Sequence, residues 1–390
     1  MIIREKYLAS IRPYYDKRII KIINGVRRSG KTTLIEQIID ELLANGVKKD
    51  HIHIMDYDKF ENLQYTNSAI ITKYIESIIK DNDMYYLFFD EVQNLNDWPK
   101  ILGLNNIINR LSIFVTGSNS DLYKDKNIDY ITQYRVFTLY PLSYEEMCIE
   151  KSVDNYLDEY LKWGGMPYLL NINNSNFKYT TTCDVYNSII VKDIVNRYNV
   201  KDIELLNRII NYILSNIPNT FSVTNMSKYF ASYDRKVSLD TMYNYLNYID
   251  SSFLLCKLDR YSMSENRIIS GKYKYYVSDF SFYNIIDKEV DRKYKLENLV
   301  YLELKSRGYD VKQAIVGLKE IDFIATKDKK KKYIEVYEYL TDDIRDKAFK
   351  KYNRINDGVE KYIFSLDTEN YSTKTVKHVN IMDFLTNKKF

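Results

Sequence analysis

A chain of 390 residues with 45% hydrophobic content is long enough for two or three domains, each with a sizeable core. Its 57 basic and 53 acidic residues leave a net charge of +4, too near balance to demand nucleic acid, so any basic surface has to be local. Three cysteines without Cys-x-x-Cys spacing exclude a zinc module or disulfide framework and read as core thiols of a reducing cytosol, and no window reaches the ~18 apolar residues of a membrane span, so neither export nor insertion is expected.

The first predicted strand, 18–24, runs into Gly25-Val26-Arg27-Arg28-Ser29-Gly30-Lys31-Thr32, a complete phosphate-binding loop, with Thr33 continuing into a helix predicted over 32–44. Glycines let the backbone N–H groups curl around phosphate oxygens at the positive end of that helix. Lys31 is placed to reach the β- and γ-phosphates of a nucleotide such as ATP, and the Thr32 hydroxyl to ligate Mg²⁺. His51 and His53 alternate along the next strand, 51–57, and with no third ligand nearby in sequence they read as ordinary strand residues. A helix near 66–80 precedes strand 84–90, which ends in Asp90-Glu91. In such a pair the first carboxylate serves the metal and the second orients or deprotonates the attacking water. After a helix near 98–109, strand 111–116 ends in Thr116-Gly117-Ser118, where a polar group either senses the γ-phosphate or caps the strand end. Strand 134–140 completes a pattern of alternating strands and helices that predicts a doubly wound parallel α/β sheet with its ligand at the carboxyl ends of the strands.

Beyond Pro141-Leu142-Ser143 the pattern turns helical: 156–163, a break at Gly164-Gly165-Met166-Pro167, then a long helix over 179–198. Helical periods at 203–216, 223–232 and 238–250, followed by strand-like 253–256 and 274–277, suggest a winged helix. Its third helix, opened by Arg235 and Lys236, either enters a DNA groove or packs between domains. Against DNA stand Asp240 at its start and the lack of Lys or Arg within it. A final α/β segment has helices at 293–307 and 342–355 and strands at 309–315, 321–326, 333–338 and 361–366. The lysine run 327–332 reads as a solvated hairpin turn. Glu297, Asp322 and Glu335 follow the order of carboxylates in a metal-dependent nuclease of the PD-(D/E)XK type, but Tyr337 stands where that chemistry needs a lysine. Lys319 or Lys332 is the nearest replacement, and no cleavage is expected. The 39 tyrosines are spread evenly and read as compositional bias.

Gly25–Thr32, Asp90-Glu91-Val92-Gln93 with Trp98, Thr116-Gly117-Ser118, Tyr140-Pro141-Leu142-Ser143, Gly164-Gly165-Met166-Pro167, Lys192-Asp193-Ile194 with Arg197, Tyr276-Val277-Ser278-Asp279 and Glu297-Asn298 together give the chain a likeness over nearly its whole length. It resembles the prokaryotic AAA-superfamily ATPases that carry a carboxyl-terminal domain of uncharacterised function. The resemblance implies a P-loop AAA-type core over 1–145, a helical region over 146–200, a winged-helix-like segment over 201–285 and a restriction-endonuclease-like α/β domain over 286–390. It also implies ATP and Mg²⁺ as ligands and an oligomer in which a neighbour supplies an arginine. The family's usual Gly-Arg before the Pro-Leu-Ser motif is replaced here by Thr132-Gln133, with Arg110 and Arg135 as candidate substitutes. The expectation is therefore a slow cytoplasmic ATPase. The alternatives are an ATP-binding switch that docks DNA or a protein partner and, more weakly, an ATP-dependent nuclease.

Overall fold

The computed structural model describes residues 2–59, 68–95, 98, 110–123, 133–152, 156–233, 236–286, 289–386 and 390. The chain divides into two compact units, one made of residues 1–141 with 251–253 and the other of 142–250 with 254–390.

The first unit is built on five parallel strands: β1 (Ile20–Asn24), β2 (Ile52–Asp56), β3 (Tyr85–Asp90), β4 (Leu111–Gly117) and β5 (Tyr134–Thr138), in the order β2-β3-β4-β1-β5. Their near-continuous apolar sequences suit a sheet covered on both faces. On β3, Tyr85, Leu87 and Phe89 enter a cluster with Ile71, Ile75, Ile113 and Val115. Tyr86 and Phe88 enter the opposite one with Leu34, Ile35, Ile38 and Phe114, as the two-residue period of a strand requires. The doubly wound sheet is thus as the sequence predicts. The helices expected near 32–44 and 66–80 span Lys31–Ala44 and Ser68–Ile78; the one expected at 98–109 lies, except for Trp98, outside the described residues. A helix the periodicity did not reveal, Glu5–Ile11, packs Tyr7, Leu8 and Ile11 on the second cluster.

In the second unit, helices Tyr144–Lys151, Leu157–Trp163, Ser175–Ser188, Ile203–Asn216, Val223–Ala231 and Leu239–Ser251 precede or flank an eight-stranded mixed sheet. The long helix expected over 179–198 continues past Ser188 as a π-helical stretch, Ile189–Asn196. The strands are β6 (Phe221–Ser222), β7 (Leu255–Ser262), β8 (Arg267–Val277), β9 (Asp310–Val316), β10 (Lys319–Lys327), β11 (Lys330–Val336), β12 (Glu360–Ser365) and β13 (Lys377–Asn380), in the order β13-β12-β11-β10-β9-β7-β8-β6. One sheet therefore runs through both 201–285 and 286–390, joined where β7 pairs with β9. The lysine run is the β10–β11 hairpin turn, with Asp328 and Lys329 in the left-handed region. Two sequence motifs far apart in the chain meet in this unit: the buried Asp279 carboxylate accepts from the Gly165 N–H at 2.8 Å and from the Ser281 N–H at 3.0 Å. Burial pushes that carboxyl up to about 6, against the pull of the Ser281 hydroxyl and of these backbone donors. The three cysteines are unbonded and half-buried rather than core. Among the described residues no helix is long and apolar enough to cross a membrane.

Candidate functional site

The carboxyl end of β1 opens directly into the phosphate-binding loop. Gly25 has φ +155°, and a Cβ there would lie 2.2 Å from the Leu139 carbonyl oxygen, so no other residue fits. Gly30, at φ 97°, turns the chain into helix Lys31–Ala44, whose amino end receives no side-chain cap. Buried Val26 and exposed Arg28, the latter at φ 66°, complete the turn. Behind the loop the buried Arg4 guanidinium donates to the Tyr140 carbonyl at 2.9 Å and the Ser29 carbonyl at 3.4 Å, tying the loop to the chain leaving β5. Arg4 belongs to no motif, and no local pattern marks it.

Helix, β3 and β4 then converge. Lys31 Nζ donates to the Gly25 and Val26 carbonyls at 3.3 Å each and lies 3.3 Å from Glu91 Oε1. The Thr32 hydroxyl donates to Asp90 Oδ2 at 2.7 Å, and Thr33 follows half-buried. The Thr116 hydroxyl donates to Asp90 Oδ1 and accepts the Glu91 N–H at 3.0 Å, while the Ser118 hydroxyl donates to Glu91 Oε2 at 3.3 Å. Both side chains therefore join the carboxylate pair. Gln93 also donates to Glu91 Oε2 and to Ser118 Oγ, and the Arg27 guanidinium lies 3.8 Å from Glu91 Oε2 and 3.3 Å from Asp58.

The two neighbouring carboxyls are pushed apart electrostatically. Burial raises Asp90, against the hydroxyls of Thr116 and Thr32. Burial also pushes Glu91 upward, but Lys31 and Arg27 outweigh it and hold the group below the usual carboxylate range. Around them, both polar atoms of the Asn24 side chain and the Ser29 hydroxyl are buried without hydrogen-bond partners. Buried polar groups are nearly always paired, so such orphans next to a phosphate-binding loop point to a polar partner from outside the protein. The hydroxyl of Thr32 and carboxylate of Asp90 are hard oxygen donors of the kind Mg²⁺ takes.

Arg110 donates to the Asp81 carbonyl at 2.9 Å, and Arg135 lies over the Tyr14 ring; both precede or open their strands, at the end of the sheet away from the loop. Neither fills the place of the missing Gly-Arg, of which Thr132 lies outside the described residues. His51 does find acidic company in space. Its Nε2 is 3.2 Å from Asp81, and Asp83 is also within reach, but Lys48 already pairs with both aspartates at 3.6 and 3.0 Å, making an ion-pair network.

In the second unit, Glu297, Asp322 and Glu335 are each engaged by protein groups. Lys274 and the Tyr276 hydroxyl both donate to Glu297, the Val336 N–H donates to Asp322 at 2.9 Å, and Lys351 and the Tyr337 hydroxyl donate to Glu335. Burial and the charge of Asp322 push Glu335 up to about 7, against the pull of Lys351. Among the described residues the three carboxylates do not gather at metal-ligand spacing. Lys319 instead donates to the Lys351 carbonyl, and Lys332 sits 3.8 Å over the Phe390 ring, so neither lysine expected from the sequence reaches the cluster. On helix Leu239–Ser251 the exposed residues include Asp240, Tyr243, Asn244 and Asn247 and no cation; Arg235 lies outside the described residues and Lys236 is exposed.

A loop of this form on a five-stranded parallel sheet, with Thr32 and Asp90 joined beneath it, defines a P-loop nucleotide-binding unit, and residues 17–148 match the family model described as an AAA domain. Residues 154–292 match a second model, described as a domain of unknown function (DUF8612). The chain belongs to the same family as an uncharacterized protein of Haemophilus influenzae, to which it is 30% identical over 347 residues, 86% of each chain. It is also similar to the uncharacterized protein MJ1544 of Methanocaldococcus jannaschii, 27% identical over 380 residues, 92% of this chain and 82% of that one. Among solved structures it is similar to the Aeropyrum pernix ORC2 protein in ADPNP-ADP complexes, with a TM-score of 0.35 and 11% identity over 76% of this chain and 91% of that one. The replication initiator DnaA bound to AMPPCP and single-stranded DNA gives a TM-score of 0.30 and 13% identity, over 79% and 81%.

Proposed function

We propose that the first unit binds Mg·ATP and hydrolyses it slowly, as a cytoplasmic ATPase whose nucleotide state is coupled to the second unit. The observation that carries this reading is the constellation at the loop: Lys31 beside Glu91, with Thr32 bonded to Asp90. Gly25 to Thr33 would cradle the phosphates, and Thr32 and Asp90 would hold Mg²⁺. When bound, the ion neutralises charge on the β- and γ-phosphate oxygens. Glu91, poised one residue beyond Asp90, would orient and deprotonate the attacking water, with Thr116 and Ser118 fixing the two carboxylates. In the second unit we read helices Ile203–Asn216, Val223–Ala231 and Leu239–Ser251 with the β6-β8-β7 sheet as a winged helix, and the remaining strands as a nuclease-like fold without cleavage activity. The divisions 1–145, 146–200, 201–285 and 286–390 belong to this proposal.

A second reading is supported by the replacement of the family's Gly-Arg by Thr132-Gln133. It is an ATP-binding switch with little turnover that docks DNA or a protein partner, alone or as a homo-oligomer. Steady-state Mg·ATP hydrolysis by wild type and Glu91→Gln, with and without double-stranded DNA, separates the two. Turnover that the substitution reduces by roughly 10²–10⁴-fold, the worth of a positioned general base, supports the ATPase. Binding without a difference between the two proteins supports the switch.

A further inference from the structure

We infer that Arg27 is the nucleotide site's own arginine, supplied in cis by the phosphate-binding loop, and that Glu91 in the nucleotide-free protein holds the two cations that the γ-phosphate of ATP takes over. The inference rests on the reading of this site as an ATP site. Arg27 is the third residue of the loop, yet its side chain is only 9% exposed. A guanidinium is seldom withdrawn from water unless anions receive it. Its partners include Asp58 at 3.3 Å and Glu91 Oε2 at 3.8 Å, while Lys31 takes the other oxygen of the same carboxylate at 3.3 Å. One carboxylate thus lies between the ammonium that the loop aims at phosphate and a guanidinium fork.

At 3.8 Å the Arg27–Glu91 contact is an ion pair too long for a hydrogen bond. A phosphoryl group, with three oxygens, satisfies an ammonium and a fork together better than two carboxylate oxygens do. Asp58 fixes the outer edge of the guanidinium and is itself positioned by Asn94, whose amide donates to it at 3.0 Å. When the cations exchange partners, Glu91 does not drift. Its backbone is held at φ 53°, and Gln93 and Ser118 donate to Oε2. It is left as a tethered carboxylate, no longer paired with Lys31 and Arg27. ADP brings no γ-phosphate and leaves the Glu91 contacts in place, so this arrangement separates triphosphate from diphosphate.

The test is a fluorescence titration of the full chain with Mg·ADP and with the non-hydrolysable Mg·AMPPNP, using wild type, Arg27→Gln, Arg27→Lys and Glu91→Gln, each first checked for a wild-type melting profile. Arg27→Gln is expected to weaken AMPPNP roughly 10- to 100-fold, the range of a lost charge-assisted hydrogen bond, and to leave ADP within about twofold. Arg27→Lys recovers part of the loss, and Glu91→Gln tightens AMPPNP without tightening ADP. Equal weakening of both nucleotides by Arg27→Gln would reduce Arg27 to a support of the loop, and no effect on either would remove it from the site; each result overturns the inference. Because no turnover is needed, the inference survives a wild type that binds but does not hydrolyse. If wild type binds neither nucleotide, the ATP reading falls and takes this inference with it.

Discussion

At the carboxyl end of the first sheet, Asn24 and Ser29 keep buried polar atoms without partners beside Lys31, Asp90 and Glu91, whereas in the second unit Glu297, on helix Arg292–Ser306, and Asp322 and Glu335, on β10 and β11, are each engaged by a protein donor. Both places set carboxylates against cations. They differ in what is left over. Unmet hydrogen-bonding capacity at a glycine-built loop is what a polar ligand satisfies, while a network closed on itself gains nothing by admitting a metal. In the second unit the two ammonium groups of Lys274 and Lys351 bring the same charge as one divalent cation would. A row of acidic motifs in sequence therefore acquires its meaning from the cations that reach it.

The contrast breaks most visibly if the closed network is opened. Lys274 is 7% exposed and Glu297 1%, so Lys274→Met strands a buried carboxylate and is expected to lower stability by about 3–5 kcal/mol, read by denaturant unfolding. Adding Glu297→Gln to that variant restores most of the loss, since the uncompensated charge is gone. A wild-type protein whose melting temperature rises with Mn²⁺, and whose Glu297→Gln variant does not respond, would show instead that the cluster is a metal site. Next in size is Lys31→Met, at the open site. It is expected to weaken Mg·ATP binding roughly 100-fold, since it removes the ammonium that meets the phosphates, with the loss measured by titration calorimetry. If affinity stays unchanged, the unmet polar groups serve some other ligand.

How far each place was legible in the sequence follows from the same contrast. Loop, helix start and Asp90-Glu91 are contiguous motifs closing strands whose apolar runs are bounded by polar turns, so the site could be assembled from order alone. The cations of the second cluster could not. Lys332 lies three residues from Glu335 on the same strand, and an odd separation places it on the opposite face, where it meets Phe390. Lys351 arrives from helix Asp342–Asn353 and Lys274 from β8, through sheet order and helix packing that no local pattern encodes. Lys274 and Tyr276, two apart, share a face and both reach Glu297. The sequence marks Arg27 as part of the loop, but its burial against Asp58 and Glu91 depends on β2 and β3 lying side by side. The seven-residue helix Glu5–Ile11 and the four-residue β13 are too short to show a period.

The smallest expected effect concerns a buried carboxylate to which, among the described residues, hydroxyl and backbone groups rather than cations donate. Asp279 is 2% exposed and bonded to the N–H groups of Gly165 and Ser281. Its carboxyl is raised to about 6 in the fold, above its ordinary value near 3.8. With the folded value above the unfolded one, the native state binds the extra proton between them. The resulting stability is complete below pH ~4 and is lost as the pH rises through about 6. Asp279→Asn does not titrate, so the stability of wild type relative to this variant is expected to fall by about 2 kcal/mol from pH 4 to pH 6, because each pH unit between the two values changes the balance by at most ~1.4 kcal/mol. Urea midpoints of the two proteins at matched pH values measure it. A difference that stays flat would mean that the donors of Gly165 and Ser281 hold the ionised form well enough to cancel the cost of burial, and that a cation is not needed to keep a carboxylate buried in this unit.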